Sequence, residues 1–154
     1  MAEIREKTST DDVVEIVALA TKDLRRVYRP APRTHGSAAP QDDNAAPSLV
    51  AIEDDVIVGV IEYCEREKSL HVRGLAVHPK RRRRGIAKAL MREVEAIAAR
   101  EGTPSVTLST IKETGNLEFF CQLGYTVVSE APATGFEGLD GQAVVKVDMC
   151  RVSA

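Results

Sequence analysis

The sequence has no tryptophan, few aromatic residues of any kind and only three cysteines. The cysteines, Cys64, Cys121 and Cys150, are an odd and widely spaced set without a C-x-x-C pair. Such a set indicates neither a disulfide framework nor a zinc site, and it favours a reducing compartment. The sequence therefore predicts a protein without disulfides and without a bound metal.

Long apolar runs are also missing. No stretch approaches the length of a membrane span, and the first residues, MAEIREKTSTDD, lack the apolar core of a signal peptide. We therefore expect a cytoplasmic protein with no membrane partner. Its 154 residues, 44% of them hydrophobic and 29% charged, are typical of one soluble globular domain over 1–154.

Positive charge is concentrated in one place. Five consecutive cations occupy 80–84, yet the whole chain has a net charge of −2, so the remainder is strongly acidic. A local basic cluster on an acidic body favours a compact anionic ligand over a broad nucleic-acid surface. Nucleic-acid binding through this cluster is the least favoured alternative, because aromatic residues are few and no recognisable binding motif is present.

The stretch from Leu70 to Arg100 predicts a strand, a basic turn and a helix in immediate succession. Leu70 to Val77 is apolar, Pro79 and the cations follow, and the helix begins at once. Helical spacing places one set of apolar residues on a single face of this helix and charged residues on the other. The apolar face consists of Ile86, Leu90, Val94, Ile97 and Ala98. The charged face consists of Lys88, Arg92, Glu93 and Glu95.

The start of this helix has the features of a phosphate-binding site. The first N–H groups of a helix have no intrahelical partner and carry partial positive charge, which attracts anions. Gly85 and Ala87 are small enough for a phosphate to approach the backbone closely, and the arginines offer charge-assisted hydrogen bonds. We interpret 80–87 as a diphosphate site. The alternative is a solvated basic turn, in which the cations would only repel each other.

These motifs resemble those of the GCN5-related N-acetyltransferase (GNAT) family. Its core pattern, Arg/Gln-x-x-Gly-x-Gly/Ala, is similar to Arg82-Arg83-Arg84-Gly85-Ile86-Ala87, which follows Leu75-Ala76-Val77-His78-Pro79. A second match, ETGNLEFFCQLGY at 113–125, follows the next predicted strand. Two motifs at the expected separation are much more specific than either alone. The resemblance covers about 56–128.

The resemblance implies an α/β fold, called α+β in some schemes. Its mixed, mostly antiparallel central sheet would have six to seven strands, about four flanking helices and a splay at the cofactor site. A β-bulge near Gly74 fits this expectation, because Leu70 and Val72 have one parity while Leu75 and Val77 have the other. One extra residue would bring all four to one face. The alternative is a strand buried on both faces.

Other elements follow from local patterns. Ser9, Thr10 and Asp11 are candidate N-caps for a helix that reaches Leu24, and a short helix is expected at 116–123. Proline-rich 29–47 predicts a long flexible loop. Further strands are expected at 2–7, 49–53, 56–63, 105–109, 125–129 and 143–151, the last two as an antiparallel pair.

The resemblance implies transfer of an acetyl group from acetyl-coenzyme A to a primary amine of a small molecule, peptide or protein, without a metal. The backbone N–H of Val77 would polarise the acetyl carbonyl, 82–87 would hold the diphosphate, and Asn116 would contact the pantetheine arm or its loop. A homodimer is an open expectation, since dimers are common in that family. The implied cofactor-binding residues are Leu75, Ala76, Val77, Arg82, Arg83, Arg84, Gly85, Ile86, Ala87, Lys88, Asn116, Phe119 and Phe120.

Two side chains are candidates for the general base, which is needed because an alkylamine has a pKa of about 10.4. Glu62 and His71 each occupy a strand position from which family members can reach the acceptor amine. The alternative is that either side chain is structural or solvent-exposed.

Phe120 departs from the family pattern. Many members have a tyrosine there, whose phenol protonates the departing thiolate. Coenzyme A would leave as a thiolate, or a water or a neighbour such as Cys121 or Tyr125 would donate the proton. The alternative function is a non-catalytic acyl-coenzyme A binding or regulatory module.

Overall fold

A computed structural model of the chain describes residues 2–31 and 47–152. The helices are α1 (Val14–Leu24), α2 (Ile86–Arg100) and α3 (Asn116–Gln122), with short 3₁₀ helices at Pro79–Arg81 and Lys112–Thr114. The strands are β1 (Glu3–Glu6), β2 (Tyr28–Pro30), β3 (Ser48–Glu53), β4 (Val56–Arg66), β5 (Ser69–Val77), β6 (Ser105–Ile111), β7 (Thr126–Pro132), β8 (Phe136–Gly138) and β9 (Val145–Val152).

Seven of these strands form one mixed sheet in the order β1-β3-β4-β5-β6-β9-β7. Its described pairs are antiparallel except β5 with β6. The mixed, mostly antiparallel sheet of six to seven strands is thereby confirmed. Within 2–31 and 47–152 three α-helices accompany it, where about four helices were expected. None of these helices is long and apolar enough to span a membrane.

Helix α2 covers one side of the sheet, here called the α2 face. The predicted apolar stripe is confirmed, because every residue in it is buried in the main core. Gly59 of β4 lets the helix approach closely, since a Cβ atom there would lie 3.0 Å from Ile86 Cγ2 and 3.1 Å from Leu90 Cδ1. The start of α2 is therefore fixed against the centre of the sheet.

Helix α1 covers part of the other side, here called the α1 face. Ile16 packs there against Val50, Val60 and Ala76 in a second, smaller core. This core connects α1 directly to β5.

The predicted N-caps of α1 at 9–11 are wrong. The helix begins at Val14, whose N–H donates to Asp12 Oδ1 at 3.0 Å. Asp11 is occupied elsewhere, because both of its oxygens accept hydrogen bonds from the Arg5 guanidinium, at 2.7 and 2.9 Å.

Glu95 is also placed differently from the prediction. It was assigned to the charged outer face of α2, yet it is only 8% exposed. Its Oε2 accepts a 2.8 Å hydrogen bond from the Tyr125 hydroxyl, and its Oε1 lies 2.6 Å from Arg92 Nη1 and 3.4 Å from Arg151 Nη1. Two cations and a hydroxyl therefore compensate the desolvation of this carboxylate.

The β-bulge predicted near Gly74 is confirmed. Glu62 of β4 pairs with Gly74, while the next residue, Tyr63, pairs with Val72, so Arg73 is the extra residue of β5. As a result the predicted apolar set lies on the α2 face, in or against the main core. This set is Leu70, Val72, Leu75 and Val77.

The splay of the sheet follows directly after the bulge. Strand β5 pairs with β6 only over Ser69–Val72 and Ser105–Leu108. Both strands continue, β5 to Val77 and β6 to Ile111, without further pairing to each other. The two central strands thus part at their carboxyl ends.

The predicted loop at 29–47 is partly replaced by a strand. Strand β2 pairs antiparallel with β8, and Arg29 Nη2 lies 3.1 Å from Glu137 Oε2 across this pair. The pair joins the end of α1 to the connection between β7 and β9. Residues 32–46 of the predicted loop lie outside the described part of the chain.

The close approach of α2 to Gly59 generates a stability prediction. We expect Gly59→Val to lower the free energy of unfolding by about 1–3 kcal/mol, because its methyl groups would overlap Ile86 and Leu90. Urea unfolding measures this. Gly74→Val is the matched control, since a Cβ at Gly74 has nothing within 4 Å. Equal stability of the two variants would contradict the packing described.

Candidate active site

A cavity of about 700 Å³ lies where β5 and β6 part. Residues Val72–Val77 of β5 and Leu108–Ile111 of β6 line it. Phe120 of α3 closes it on the α2 face, whereas Ala20 and Leu24 of α1 contribute from the α1 face. The cavity therefore extends through the sheet, with walls on both faces.

Backbone donors of β5 point into this cavity. His78 N–H donates to Val58 C=O at 2.8 Å, and Val77 lies opposite Gly59. Hydrogen-bonded and non-hydrogen-bonded pairs alternate along antiparallel strands, so the N–H of Val77 points away from β4 and toward the gap. The same alternation directs the N–H of Leu75 into the gap. A substrate between the strands can accept hydrogen bonds from both.

The start of α2 offers a second group of donors. Ala89 N–H makes the first intrahelical hydrogen bond, to Gly85 C=O at 2.9 Å, so the N–H groups of 86–88 precede the helical ladder. Gly85 has φ of +78°, which glycine adopts without strain, and a Cβ there would have nothing within 4 Å. The backbone is thus sterically open at this point.

The arginines of the basic turn have carboxylate partners within the protein. Arg81 and Arg84 reach Glu53 Oε1 at 2.7 and 2.9 Å, and Arg82 Nη1 lies 2.6 Å from Asp23 Oδ2 on α1. Burial alone would raise the pKa of Glu53, but the Arg81 hydrogen bond and both guanidinium charges lower it overall. The expectation that the cations of an empty turn would only repel each other is therefore wrong.

Two of the predicted residues of the second motif line the cavity. Asn116 opens α3, where its N–H donates to Thr114 Oγ1 at 3.2 Å, and Phe120 lies one helical turn later. Phe119 contacts Phe120 edge-to-face at 5.1 Å and packs against the main core, away from the cavity wall. The wall at Phe120 is apolar, at the position where the resemblance implies a tyrosine phenol in many family members.

Neither suggested substitute for that phenol reaches the cavity wall. Tyr125 is only 2% exposed, and its hydroxyl donates to Glu95. Burial and this hydrogen bond raise the pKa of Tyr125. Cys121 is exposed and lies outside the cavity lining. Tyr125 therefore has a structural role.

The two candidate bases lie near the cavity and outside its lining. Glu62 Oε1 is 3.5 Å from Arg73 Nη1, and Arg73 does line the cavity. His71 Nδ1 shares a 2.9 Å hydrogen bond with Thr107 Oγ1, and burial lowers the pKa of His71 to about 4. His71 is therefore uncharged at neutral pH.

Three charged residues of the wall, Arg73, Lys146 and Asp148, were not predicted from the sequence. Lys146 and Asp148 of β9 lie on the α1 face, since the residues between and beyond them, Val147 and Met149, are buried on the α2 face. The alternation in VKVDMCRV could have shown that Asp148 leaves the core. It could not have shown that β9 lies beside β6, which brings Asp148 to the cavity.

No group of three or more histidine, cysteine, aspartate or glutamate side chains in the described ranges is arranged to hold a metal ion.

The family of the chain is shown by comparison. The model of the acetyltransferase (GNAT) family matches residues 13–125. The chain therefore belongs to the GNAT family of acetyltransferases. Among individually curated proteins none matches the sequence.

Solved structures of low sequence identity have the same fold. A GCN5-related N-acetyltransferase from Kribbella flavida superposes with a TM-score of 0.73 at 18% identity, over 98% of this chain and 97% of that one. An aminoglycoside 6'-N-acetyltransferase complexed with coenzyme A gives 0.72 at 16%, over 99% and 97%. The ribosomal-protein-S18-alanine N-acetyltransferase of Escherichia coli gives 0.67 at 15%, over 100% and 95%.

The structural role of Tyr125 generates one prediction. Tyr125→Phe should lower the free energy of unfolding by about 1 kcal/mol, because the buried Glu95 loses one hydrogen bond and keeps its two arginines. Urea unfolding and titration with acetyl-coenzyme A measure stability and binding, and we expect unchanged affinity. A large loss of affinity at unchanged stability would contradict the assignment.

The environment of His71 leads to a prediction about the pH dependence of stability. Its pKa of about 4 in the folded protein lies below the unfolded value of about 6.5, so the unfolded state binds the proton first as the pH falls. The free energy of unfolding should therefore decrease between pH 7 and 4.5. In His71→Gln this decrease should be smaller, by about 1 kcal/mol after allowance for partial exposure. Parallel pH profiles of the two proteins would argue against the shift.

Proposed function

We propose that this protein is an acetyl-coenzyme A-dependent N-acetyltransferase that acts on a primary amine in a ternary complex. The observation that carries the proposal is the gap between β5 and β6, which holds inward N–H groups and leads into a cavity with walls on both sheet faces. The coenzyme A in the structurally similar aminoglycoside acetyltransferase supports it.

The residues present fit the diphosphate of coenzyme A. The N–H groups of Ile86, Ala87 and Lys88 and the side chains of 82–84 would bind it, with Arg82 and Arg84 exchanging carboxylate for phosphate oxygen. The 85–87 backbone has room for this contact, as the open space at Gly85 indicates. The charge-assisted bonds from guanidinium to phosphate have the geometry that arginine favours.

The pantetheine arm fits the splay. It would lie along Leu75, Ala76 and Val77 in place of the missing β6 pairing, with Asn116 and Phe120 on the opposite wall. Phe119 would support Phe120 through their edge-to-face contact. Each unpaired N–H of β5 would then have an acceptor, as backbone donors require.

The acetyl carbonyl would accept a hydrogen bond from the N–H of Val77, as in an oxyanion hole. The amine nitrogen then forms a bond to the thioester carbon while the carbon–sulfur bond breaks, and coenzyme A leaves as a thiolate. Because the thiol of coenzyme A has a pKa of about 8.5, release of the thiolate costs little free energy near neutral pH. The proton of the amine passes to Glu62, to His71 or through water to solvent, and both residues stay candidate bases.

A non-catalytic acyl-coenzyme A binding module is the second candidate. The apolar Phe120 favours it, together with the orientation of Tyr125 and the position of Cys121. The two candidates differ in turnover, because a binding module would hold the cofactor without releasing thiol in the presence of amines.

Three expectations accompany the proposal. We infer that 1–154 functions as one domain, that nucleic acid is not a partner, and that the protein is cytoplasmic. A homodimer also stays a prediction. Gel filtration with light scattering would determine the oligomeric state.

Isothermal titration with acetyl-coenzyme A tests the diphosphate site. We expect Gly85→Asp to weaken binding at least about 100-fold, because the new carboxylate would repel the diphosphate at the start of α2. Dephospho-coenzyme A keeps the diphosphate, so it should bind the wild type. Gly85→Asp should weaken its binding to the same extent.

Gly102→Asp is the matched control. Gly102 has φ of +71° and open space around it, so Gly102→Asp introduces the same kind of backbone strain and the same charge as Gly85→Asp. Gly102, however, follows the C-terminal end of α2. This variant should bind acetyl-coenzyme A with the wild-type affinity. A folded wild type that fails to bind acetyl-coenzyme A would overturn the proposed function.

A further inference from the structure

The part of the cavity on the α1 face has its own charge pattern. Asp148 is the one carboxylate among the cavity-lining residues of the described ranges, and two cations, Arg73 and Lys146, line it as well. Glu62 lies 3.5 Å from Arg73 and offsets its charge. Asp148 is therefore the group that can attract a positive charge into the cavity.

Asp148 is held by neutral partners. Ser109 on one neighbouring strand donates to Oδ1 at 2.5 Å, and Ser129 on the other neighbouring strand donates to Oδ2 at 2.9 Å. The two hydroxyls fix the plane of the carboxylate and carry no charge themselves. Each oxygen keeps a free lone pair, and the Asp148 side chain is 44% exposed.

Lys146 is a weak competitor for this carboxylate. Its Nζ is 3.7 Å from Asp148 Oδ1, beyond ordinary hydrogen-bond length, and its side chain is 51% exposed. A pair of this kind contributes little, because water screens it. An incoming ammonium can displace it. The hydrogen bond from Ser109, with that from Ser129 and the charge of Lys146, lowers the pKa of Asp148, so the carboxylate stays ionised.

The position of Asp148 separates it from the reacting nitrogen. Strand β6 lies between β9 and β5, and β5 parts from β6 before Ser109, so the backbone at Asp148 is at least about 10 Å, two strand spacings, from the N–H groups of β5. This separation assigns Asp148 to a different group of the acceptor.

The surfaces nearby are apolar. Ala131, Pro132 and Ala133 line the cavity, with the edge-to-face pair Tyr28 and Phe136, whose rings are 5.4 Å apart. An acceptor that reaches Asp148 therefore passes hydrocarbon surfaces.

We propose that Asp148 binds a second positively charged group of the acceptor, so that the preferred acceptor is a diamine-like dication whose cationic groups are separated by an apolar chain. This inference rests on the proposed acetyltransferase activity. It adds the substrate class and names Asp148 as a specificity-determining residue.

The diamine cadaverine and the monoamine pentylamine form a matched pair of probes, since they differ in one terminal ammonium group. With acetyl-coenzyme A, the wild type should use cadaverine with a kcat/KM about tenfold above that for pentylamine, the factor that one charge-assisted contact supplies. Asp148→Asn should raise the KM for cadaverine about tenfold with little change in kcat. It should leave the values for pentylamine unchanged, which also reports an intact fold.

Two further variants control for nonspecific effects. Glu130→Gln makes the same charge change on β7, at a residue that pairs with Lys112 and lies outside the cavity lining, so it should leave both amines unaffected. Lys146→Gln removes the competing cation and should lower the KM for cadaverine. A damaged fold would not lower the KM, so this result would be distinct from a loss of structure.

Direct titration of cadaverine into the protein with bound coenzyme A separates this inference from the proposed function. If neither amine is acetylated, the activity fails, yet cadaverine binding that Asp148→Asn weakens tenfold still supports the dication site. If the wild type acetylates both amines equally, or if Asp148→Asn keeps the preference, the inference is overturned while the function stands. Absence of both binding and turnover of cadaverine also overturns it.

Discussion

The parting of β5 from β6 is the constraint on which the rest of the structure depends. A β-strand with unpaired N–H groups in its interior needs partners for them. Here the bulge at Arg73 returns the apolar side chains of β5 to the core while the strand leaves its neighbour. The one extra residue, Arg73, thus keeps the core intact and opens a row of N–H donors to a ligand.

The basic turn shows how a concentration of like charge is tolerated in the free protein. Glu53 and Asp23 hold three of its arginines, and the turn is thereby tied to β3 and to α1. These ion pairs hold the guanidinium groups in place beside the start of α2.

Local patterns were sufficient for the parts of the site that are continuous in sequence. The stripe of α2, the glycine before it and the parity change in β5 are each visible within a few residues. Glu95 was misplaced because its partners, Tyr125 and Arg151, belong to distant segments. Asp148 was missed for a similar reason, since its strand enters the sheet between β6 and β7, and no local pattern reports strand order.

Main-chain N–H groups of β5 face the gap, and those of the first turn of α2 precede the helical ladder. Such groups are present whatever the side chains are, provided that the backbone keeps its path. The wall on the α1 face, by contrast, is built from side chains of α1, β2, β7, β8 and β9. Sequence divergence can therefore remodel one half of the cavity while the other half persists. Related chains of this fold are free to exchange one acceptor for another without rebuilding their common half.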